Sequence, residues 1–562
     1  MTAPADHLPT HLPANRARAP RWPICVVIIA TLIVFFPLCG HEFTYWDDGA
    51  TVHGNAKLNP PTLETIRYYF TNVAYGLYIP ITYTAWAGIA LIARVDADDL
   101  GTRLNPWMFH SANVVFHVFS ASAVYLLLRK FVRKEWPAVC GALLFALHPV
   151  QLEPVAWVSG LKDVLAGCFG LIALYRYVRH STRVQTDAKS RDWRPDLIGT
   201  IALILAMLSK PSAVMVPAVA LAIDWLILRR PLSRAIRSTA LWFMLTIPIL
   251  VIGRIAQDVT GIPGAPLWAR PLIATDSLAF YLFKLAWPIN LAPDYGRKPR
   301  VVIEHGWLFY TWIVPLIVFV ALYLRRRRAR WALGAGAVFV LALMPVLGLA
   351  TFQFQFTSTV ADHYLYLAML GPALGLAMLL DSTRARIVHG FFIAVIVLLA
   401  ARTLLLTPVW KDDFTLFAHN LEVNPISVVA YNNLGNASTI RGDLHAGIAM
   451  FRKAMSISQE YPTPFENAGR VLAQMGDVEG SIAASEKSIE IRSKLPLTLY
   501  PKYMEDHNYV GQVLLTRGEY DRAIAHFQTL LKMTPDHAEA KKYLAIALEK
   551  KRAKAATQPA SG

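Results

Sequence analysis

The chain has 562 residues, 55% of them hydrophobic and only 17% charged, with a formal net charge of +17. Length alone would suggest about four domains of ~150 residues, but a chain this apolar is mostly embedded in a membrane. The positive charge does not mark a nucleic-acid binder, because the basic residues fall in short clusters between apolar runs, the pattern of cytoplasmic loops.

Residues 1–21, Pro- and Ala-rich with Arg16, Arg18 and Arg21, read as a cytoplasmic tail. The apolar run 22–39 lacks a small-residue cleavage site, and Leu38 before Cys39 does not suit lipoprotein processing. It reads as an uncleaved first span running outward. All four cysteines (Cys25, Cys39, Cys140, Cys168) lie in apolar runs without metal-ligand spacing, as small buried hydrophobes. Just beyond the first span stand Asp47 and Asp48. A carboxylate at a membrane surface with no cation near it in sequence is a candidate general base, a role worth roughly 10²–10⁴-fold in rate. Adjacent acids also raise one another's pKa. The alternative is a pair of solvated loop acids.

The loop 40–105 stays outside and holds two short surface helices, near 62–72 and 80–94, the second followed by Asp96, Asp98 and Asp99. Reading 77–94 as a span would put Arg129, Lys130, Arg133 and Lys134 outside, against the positive-inside rule. The remaining spans, placed on apolar runs, are 108–128, 137–147, 156–175, 197–208, 212–228, 239–255, 306–324, 331–350, 364–380 and 388–408. A second outer loop, 256–305, carries an apolar helix at 275–287. About eleven spans result, every inside segment is basic, and the odd count leaves the C-terminal region outside with the acid pair.

After Trp410 the composition changes. Residues 411–427 read as a linker, and 428–553 carry a helical repeat of about 34 residues. Leu434, Gly435, Phe451 and Ala454 stand at tetratricopeptide (TPR) signature positions. Ala468 and Gly469 repeat them, and Gly511, Ala523, Phe527 and Pro535 mark a third copy after a short insertion. Residues 538–553 read as the closing helix and 554–562 as a disordered tail. Such arrays present a concave surface to proteins or peptides; the alternative is a packing appendage. The fold class is therefore all-α, a polytopic helical bundle with a C-terminal TPR α-solenoid.

Charged groups in spans cost about 2.5–3.5 kcal/mol each at the bilayer centre, so those that remain are candidates. His148, Glu153, Lys162 and Asp163 fall at the outer ends of spans three and four, where Lys162 and Asp163 could equally be a neutralised interface pair. Lys210, in Ser209-Lys210-Pro211, is either a snorkelling lysine or a point charge for a lipid phosphate. Arg254, Arg270, Lys284 and Arg297 lie in or beside the second outer loop, and Lys284 within LAFYLFKLAWP suits an anionic lipid headgroup or simple snorkelling. Asp362 and His363 open span ten before Tyr364 and Tyr366. No phosphate-cradling glycine loop, metal-ligand helix or hydrolase elbow is present. An outward-facing enzyme has no cytoplasmic nucleotide sugar within reach, so its donor would have to be carried by a lipid.

In order and spacing these residues resemble the transmembrane-and-TPR protein O-mannosyltransferases of the C-type glycosyltransferase superfamily. The matching pieces are Asp47-Asp48 with Asn55, His110-x-x-Asn113 with His117, His148-Pro149, Glu153-x-x-Ala156-Trp157, Lys162-Asp163, Ser209-Lys210, Pro217 and Asp224. They continue with Tyr281-x-x-Lys284-x-x-x-Pro288-x-Asn290-Leu291-x-x-Asp294-Tyr295, Asp362-x-Tyr364 and the TPR tail. The resemblance implies a polyprenyl-phosphate-linked sugar donor, transfer with inversion to a hydroxyl of a protein acceptor, and an outward-facing site in a bacterial inner membrane or endoplasmic reticulum. It places the catalytic acid at Asp47 or Asp48 and the phosphate-binding cations at Lys284 and Lys210. His363, Lys162, Arg270, His148, Glu153 and Asp163 are the further candidates for substrate binding. The family has Arg where His363 and Leu161 stand, so a donor phosphate must be held otherwise here. A monophosphate donor needs no metal, although Asp47 or Glu153 leaves room for a divalent ion. Two other readings stand beside this one: transfer to a lipid or polysaccharide, and a non-catalytic TPR scaffold.

Overall fold

The computed structural model describes residues 22–96, 103–186, 196–257, 259, 264–494 and 503–557. The N-terminal tail, Asp98, Asp99 and the last five residues lie outside the described residues. Among the described residues there is no β-strand, only helices and two isolated bridges, Ala74 with Leu77 and Arg94 with Leu104. The chain divides into two compact units, one formed by the described parts of 1–256 and 264–415, the other chiefly by 416–562.

Six helices of the first unit are long and apolar enough to cross a membrane: Trp22–Gly40, Pro106–Leu128, Val158–Val184, Leu232–Ala256, Trp307–Leu324 and Arg386–Trp410. Two further expected spans are bent pairs. Glu135–Leu147 turns by 53° into Pro149–Ala156, and Asp362–Ala368 turns by 47° into Leu370–Ser382. Both breaks have a proline cause: Pro149 and Pro372 lack the N–H that would continue the helical ladder. The last three expected spans are the shorter apolar helices Leu197–Ser209, Pro211–Ile227 and Arg330–Val346. Each expected span is thus an apolar helix, but length alone qualifies six, or eight with the bent pairs.

The loop between the first two spans is a folded layer. Its helices run Leu63–Thr71, capped by Thr62, and Pro80–Ile92, with Pro80 in the first turn. The rings of Tyr69 and Tyr83 stack 3.7 Å apart. Around them Val52, Leu58, Trp86, Phe109, Val158, Leu161 and Leu165 form one buried cluster. This layer therefore rests on the start of Pro106–Leu128 and on residues 158–165. In the second outer loop the helix is Arg270–Ala286, starting five residues before the expected 275.

The second unit is built of helix pairs: Val428–Ile440 with Leu444–Ile457, Thr463–Gln474 with Val478–Arg492, and Tyr503–Thr516 with Tyr520–Met533. Ala538–Thr557 follows and runs past the expected end at 553. The stretch 411–427, read as a linker, contains the helix Asp413–Val423. Within each pair the connecting turn needs a left-handed residue, supplied by Gly442 (φ +86°), Gly476 (+85°) and Gly518 (+78°). A Cβ on Gly435 would meet the Phe451 ring at 2.5 Å, and one on Gly511 would meet Phe527 at 2.7 Å. Both phenylalanines are fully buried. The small residue on one helix and the ring on the other are a single packing device, repeated. Phe451→Ala should cost about 3–5 kcal/mol, read as a lower urea midpoint for unfolding of residues 428–557, by protease protection, in the full chain.

Candidate functional site

The acid-bearing loop after the first span is held from three directions. His110, on Pro106–Leu128, places Nε2 3.1 Å from the carbonyl of Glu42. The N–H of Glu42 donates to the carbonyl of Lys411 at 3.0 Å, and the N–H of Tyr45 donates to Asp413 Oδ1 at 2.7 Å. Residues read as the start of a linker therefore fold onto this loop. On the same face of Pro106–Leu128, at helical spacing, Asn113 Nδ2 donates to the carbonyls of Val155 (3.2 Å) and Trp157 (2.7 Å). One turn further, His117 lies 3.0 Å from the carbonyl of Ala146 and 2.9 Å from the Tyr366 hydroxyl. Three polar residues in this helix thus hold the backbone of neighbouring segments.

The two acids part company. Asp48 is fully buried. Its Oδ1 accepts from the N–H (2.8 Å) and Oγ (2.6 Å) of Ser159, and its Oδ2 from the N–H (3.1 Å) and Oγ1 (3.2 Å) of Thr44. Thr51 Oγ1 lies 2.7 Å from Ser159 Oγ. Ser159 is presented by the tight turn Val158–Gly160, where a Cβ on Gly160 would fall 2.3 Å from the carbonyl of Pro154. Asp47 instead keeps its side chain 51% exposed, with Oδ2 3.8 Å from Lys162 Nζ. Burial by the surrounding elements raises the Asp47 carboxyl and the Lys162 ammonium pulls it back. Burial also pushes Asp48 up to about 6, against the donors of Ser159 and Thr44. Asp413 is pushed up to about 7 by burial, opposed by the Tyr45 N–H and assisted by the charge of Asp48.

Aromatic rings carry the cluster inward from Asp47. Lys162 Nζ stands 4.0 Å above the Trp157 ring, and Trp157 lies 5.7 Å from His363. Phe354 bridges Trp46 (6.3 Å) and His363 (5.8 Å). Lys210 pairs with Asp163 and lies 5.2 Å from the Tyr364 ring. A pocket opens here, lined by Asp163, Lys210, Ser212, His363, Tyr364 and Tyr366, with Ala342 and Val346 as an apolar wall. Asp163 Oδ2 has no hydrogen-bond partner among the described residues. On the other side of His363, Glu153 accepts its Nδ1 at 2.8 Å and its N–H at 3.1 Å. A second pocket there is lined by Glu153, Asp362, Leu291, Pro293, Leu406 and Trp410. Asp362 Oδ2 accepts from the Tyr295 hydroxyl at 2.8 Å.

Asp47, Lys162, Asp163, Lys210, His363 and Glu153 are therefore brought together. Three other candidates are placed differently. Lys284 spends its ammonium on the carbonyls of Ile289 (2.7 Å) and Asn290 (2.8 Å), which closes the loop after its helix. His148 accepts the N–H of Val150 at Nδ1 and reaches the carbonyl of Leu285 at 3.1 Å through Nε2, tying a turn to a helix end. Arg270 begins the helix that Lys284 ends, about 21 Å away along the axis at 1.5 Å per residue, and its Nε donates to the carbonyl of Ala265. Asp224 takes part in a buried structural group with Arg230 and Tyr177. No group of three His, Cys, Asp or Glu among the described residues has a metal-holding arrangement. Reading the sequence missed Ser159, Thr44 and Phe354, of which only Ser159 left a trace, the Ser-Gly turn before the Lys162-Asp163 pair; Tyr295 enters only within the resemblance.

A tetratricopeptide-repeat family model matches residues 428–461. The chain is 22% identical over 440 residues to the protein O-mannosyl-transferase F38B6.6 of Caenorhabditis elegans, covering 73% of this chain and 59% of that one. To the mouse protein O-mannosyl-transferase TMTC3 it is 22% identical, over 89% of this chain and 59% of the relative. To mouse TMTC2 it is 32% identical, over 35% and 23%. The chain thus spans about three fifths of the length of the first two. Among solved structures the TPR protein YrrB matches 24% of this chain and 66% of its own, at 21% identity and a TM-score of 0.21. The relatives carry the name of the family that the residue pattern resembles.

The raised Asp48 carboxyl has a consequence of definite sign. Its folded value, about 6, lies above the ordinary ~3.9 of an unfolded aspartate, so the folded chain holds this proton more tightly. Stability is highest below about pH 4, falls as pH rises to about 6, and is level beyond. Relative to Asp48→Asn, the wild type should lose thermal stability across that window; a pH-independent difference would contradict the burial. Ser159→Ala should raise amide exchange over residues 44–53 at neutral pH.

Proposed function

We propose that this chain is a membrane glycosyltransferase. It moves a mannose-like sugar from a polyprenyl-phosphate donor to a hydroxyl of a protein acceptor, with inversion, on the extracytoplasmic face. The observation that carries the reading is the contrast between the acids: Asp48 buried in four hydrogen bonds, Asp47 open beside Lys162. Both carboxyls are raised by burial, and of the two only Asp47 is open to a hydroxyl arriving from outside. The names of the relatives support protein O-mannosyl transfer. The pocket at Lys210, His363 and Ser212, with apolar Ala342 and Val346 on its wall, suits a phosphate that ends a lipid chain.

In this reading Asp47 takes the proton of the acceptor hydroxyl as its oxygen bonds to the anomeric carbon. The bond from that carbon to the phosphate oxygen breaks on the opposite face, and the electron pair leaves with the polyprenyl phosphate. Lys210 meets the charge of the departing phosphate, with His363 held by Glu153 beside it. Lys162 limits the cost of the Asp47 charge without capping it, since 3.8 Å is longer than a hydrogen bond. Residues 428–557 present the acceptor, as TPR arrays present peptides.

Purified wild type and variants, given labelled polyprenyl-phosphate sugar and an acceptor peptide, test each part. Asp47→Asn should lower kcat by about 10²–10⁴-fold and leave KM for donor near its wild-type value. Asp48→Asn should act through protein stability more than through kcat. Lys210→Ala should raise the donor KM. Full turnover by Asp47→Asn ends the assignment of the base. Deleting 428–562 should raise the KM of a protein acceptor; an enzyme acting on a lipid or polysaccharide would be indifferent to the deletion.

A further inference from the structure

At the far end of one span lies a run of positive charge that no part of the proposed reaction uses. The span Trp307–Leu324 has a mean hydropathy of 2.1 and only 6% of its apolar window is buried in the fold. Within it, Ile313–Leu324 has no buried residue at all, and Ile317, Phe319 and Leu324 are 62%, 55% and 71% exposed. A helix this apolar and this uncovered faces lipid. Its α-helical part, the 12 residues Ile313–Leu324, rises about 18 Å at 1.5 Å each, and the turns from Trp307 extend it toward the ~30 Å of a bilayer core. The residue after Leu324 therefore arrives at the headgroup layer. Four arginines in a row stand there, Arg325 to Arg328, followed by Arg330.

These five have no carboxylate partner among the described ion pairs. Arginines inside the same unit do: Arg129 with Glu135, Arg176 with Asp196, Arg230 with Asp224, Arg297 with Asp276. No Asp or Glu occurs anywhere from 305 to 361. Two of the five guanidinium groups are held in place by aromatic rims. Arg326 lies 3.6 Å from the Tyr323 ring centre and donates to the Tyr323 carbonyl at 2.9 Å. Arg330 donates to the carbonyl of Trp225 at 2.9 Å and stands 5.7 Å from its ring. Trp225 is itself 40% exposed, as a ring at a membrane interface is. The next helix, Arg330–Leu343, begins at this turn, so its N-terminal amides add to the positive field.

We infer that the turn Arg325–Arg330 is a binding site for the headgroup of an anionic bilayer phospholipid, seated on Arg326 and Arg330 between Tyr323 and Trp225. The apolar flank of Ile313–Leu324 supplies the groove for its acyl chains. Guanidinium groups are suited to this, since each offers a planar fork to phosphate oxygens, and basic residues clustered near an anionic surface are drawn to it. The site is separate from the donor pocket, lying one membrane thickness from the Trp307 end, where Arg297 stacks at 4.2 Å. It stands whether or not the chain transfers sugar.

The full chain, delipidated in detergent, would be titrated with phosphatidylglycerol or phosphatidylcholine and weighed intact by native mass spectrometry. Retention of the anionic lipid at least tenfold better than the neutral one is expected, and inorganic phosphate at equal concentration should not displace it. Replacing Arg325, Arg326, Arg327 and Arg328 with Gln should abolish the preference. Because that change removes a topological signal, the all-Lys version serves as the second variant: it keeps the charge and should keep most of the preference while losing tightness. Equal retention of both lipids by the wild type overturns the proposal. So does a Gln variant that still prefers the anionic lipid, or displacement by free phosphate.

Discussion

The buried carboxylate of Asp48 is the constraint from which the outer end of this bundle is built. A carboxylate shut away from water is costly unless its lone pairs are filled. Here four donors fill them, two from Thr44 on its own loop and two from Ser159 across the fold. The Ser159 donors sit on a turn closed by Gly160. With Asp48 bound there, Asp47 is left open beside Lys162. One acid is consumed so that the other is aimed.

The same economy of charge runs through the rest of the site. Lys210 with Asp163, His363 with Glu153, and Tyr295 with Asp362 place opposite or complementary groups against one another within an apolar surround. Aromatic rings lie between these groups. Removing a single partner would strand the other in low dielectric, at a larger cost than the pair itself returns. That couples the integrity of the two pockets to each other through His363, which belongs to the walls between them.

The sequence made the helices visible because each is an apolar run, and the repeat visible because Gly435, Gly469 and Gly511 recur at repeat positions. The bends at Pro149 and Pro372 were less legible, since an apolar run reads the same whether straight or broken. The acid pair was legible as a candidate, but two neighbouring aspartates look alike on paper. What separates them is Ser159, about a hundred residues away. Arg270 and Lys284 looked like companions in one loop and proved to be the two ends of one rigid rod. Lys284 looked free because its acceptors are main-chain carbonyls, which no side-chain pattern announces.

The strap formed by Lys411 on Glu42 and Asp413 on Tyr45 joins residues 369 and 368 positions apart. The segment that bears the acids is among the first to leave the ribosome, while the segment that fastens it follows the final span. During biosynthesis the early segment therefore waits, unfastened, until the whole bundle has been threaded into the bilayer. A prematurely terminated chain would keep both acids and Ser159 and still lack the strap that fastens their loop.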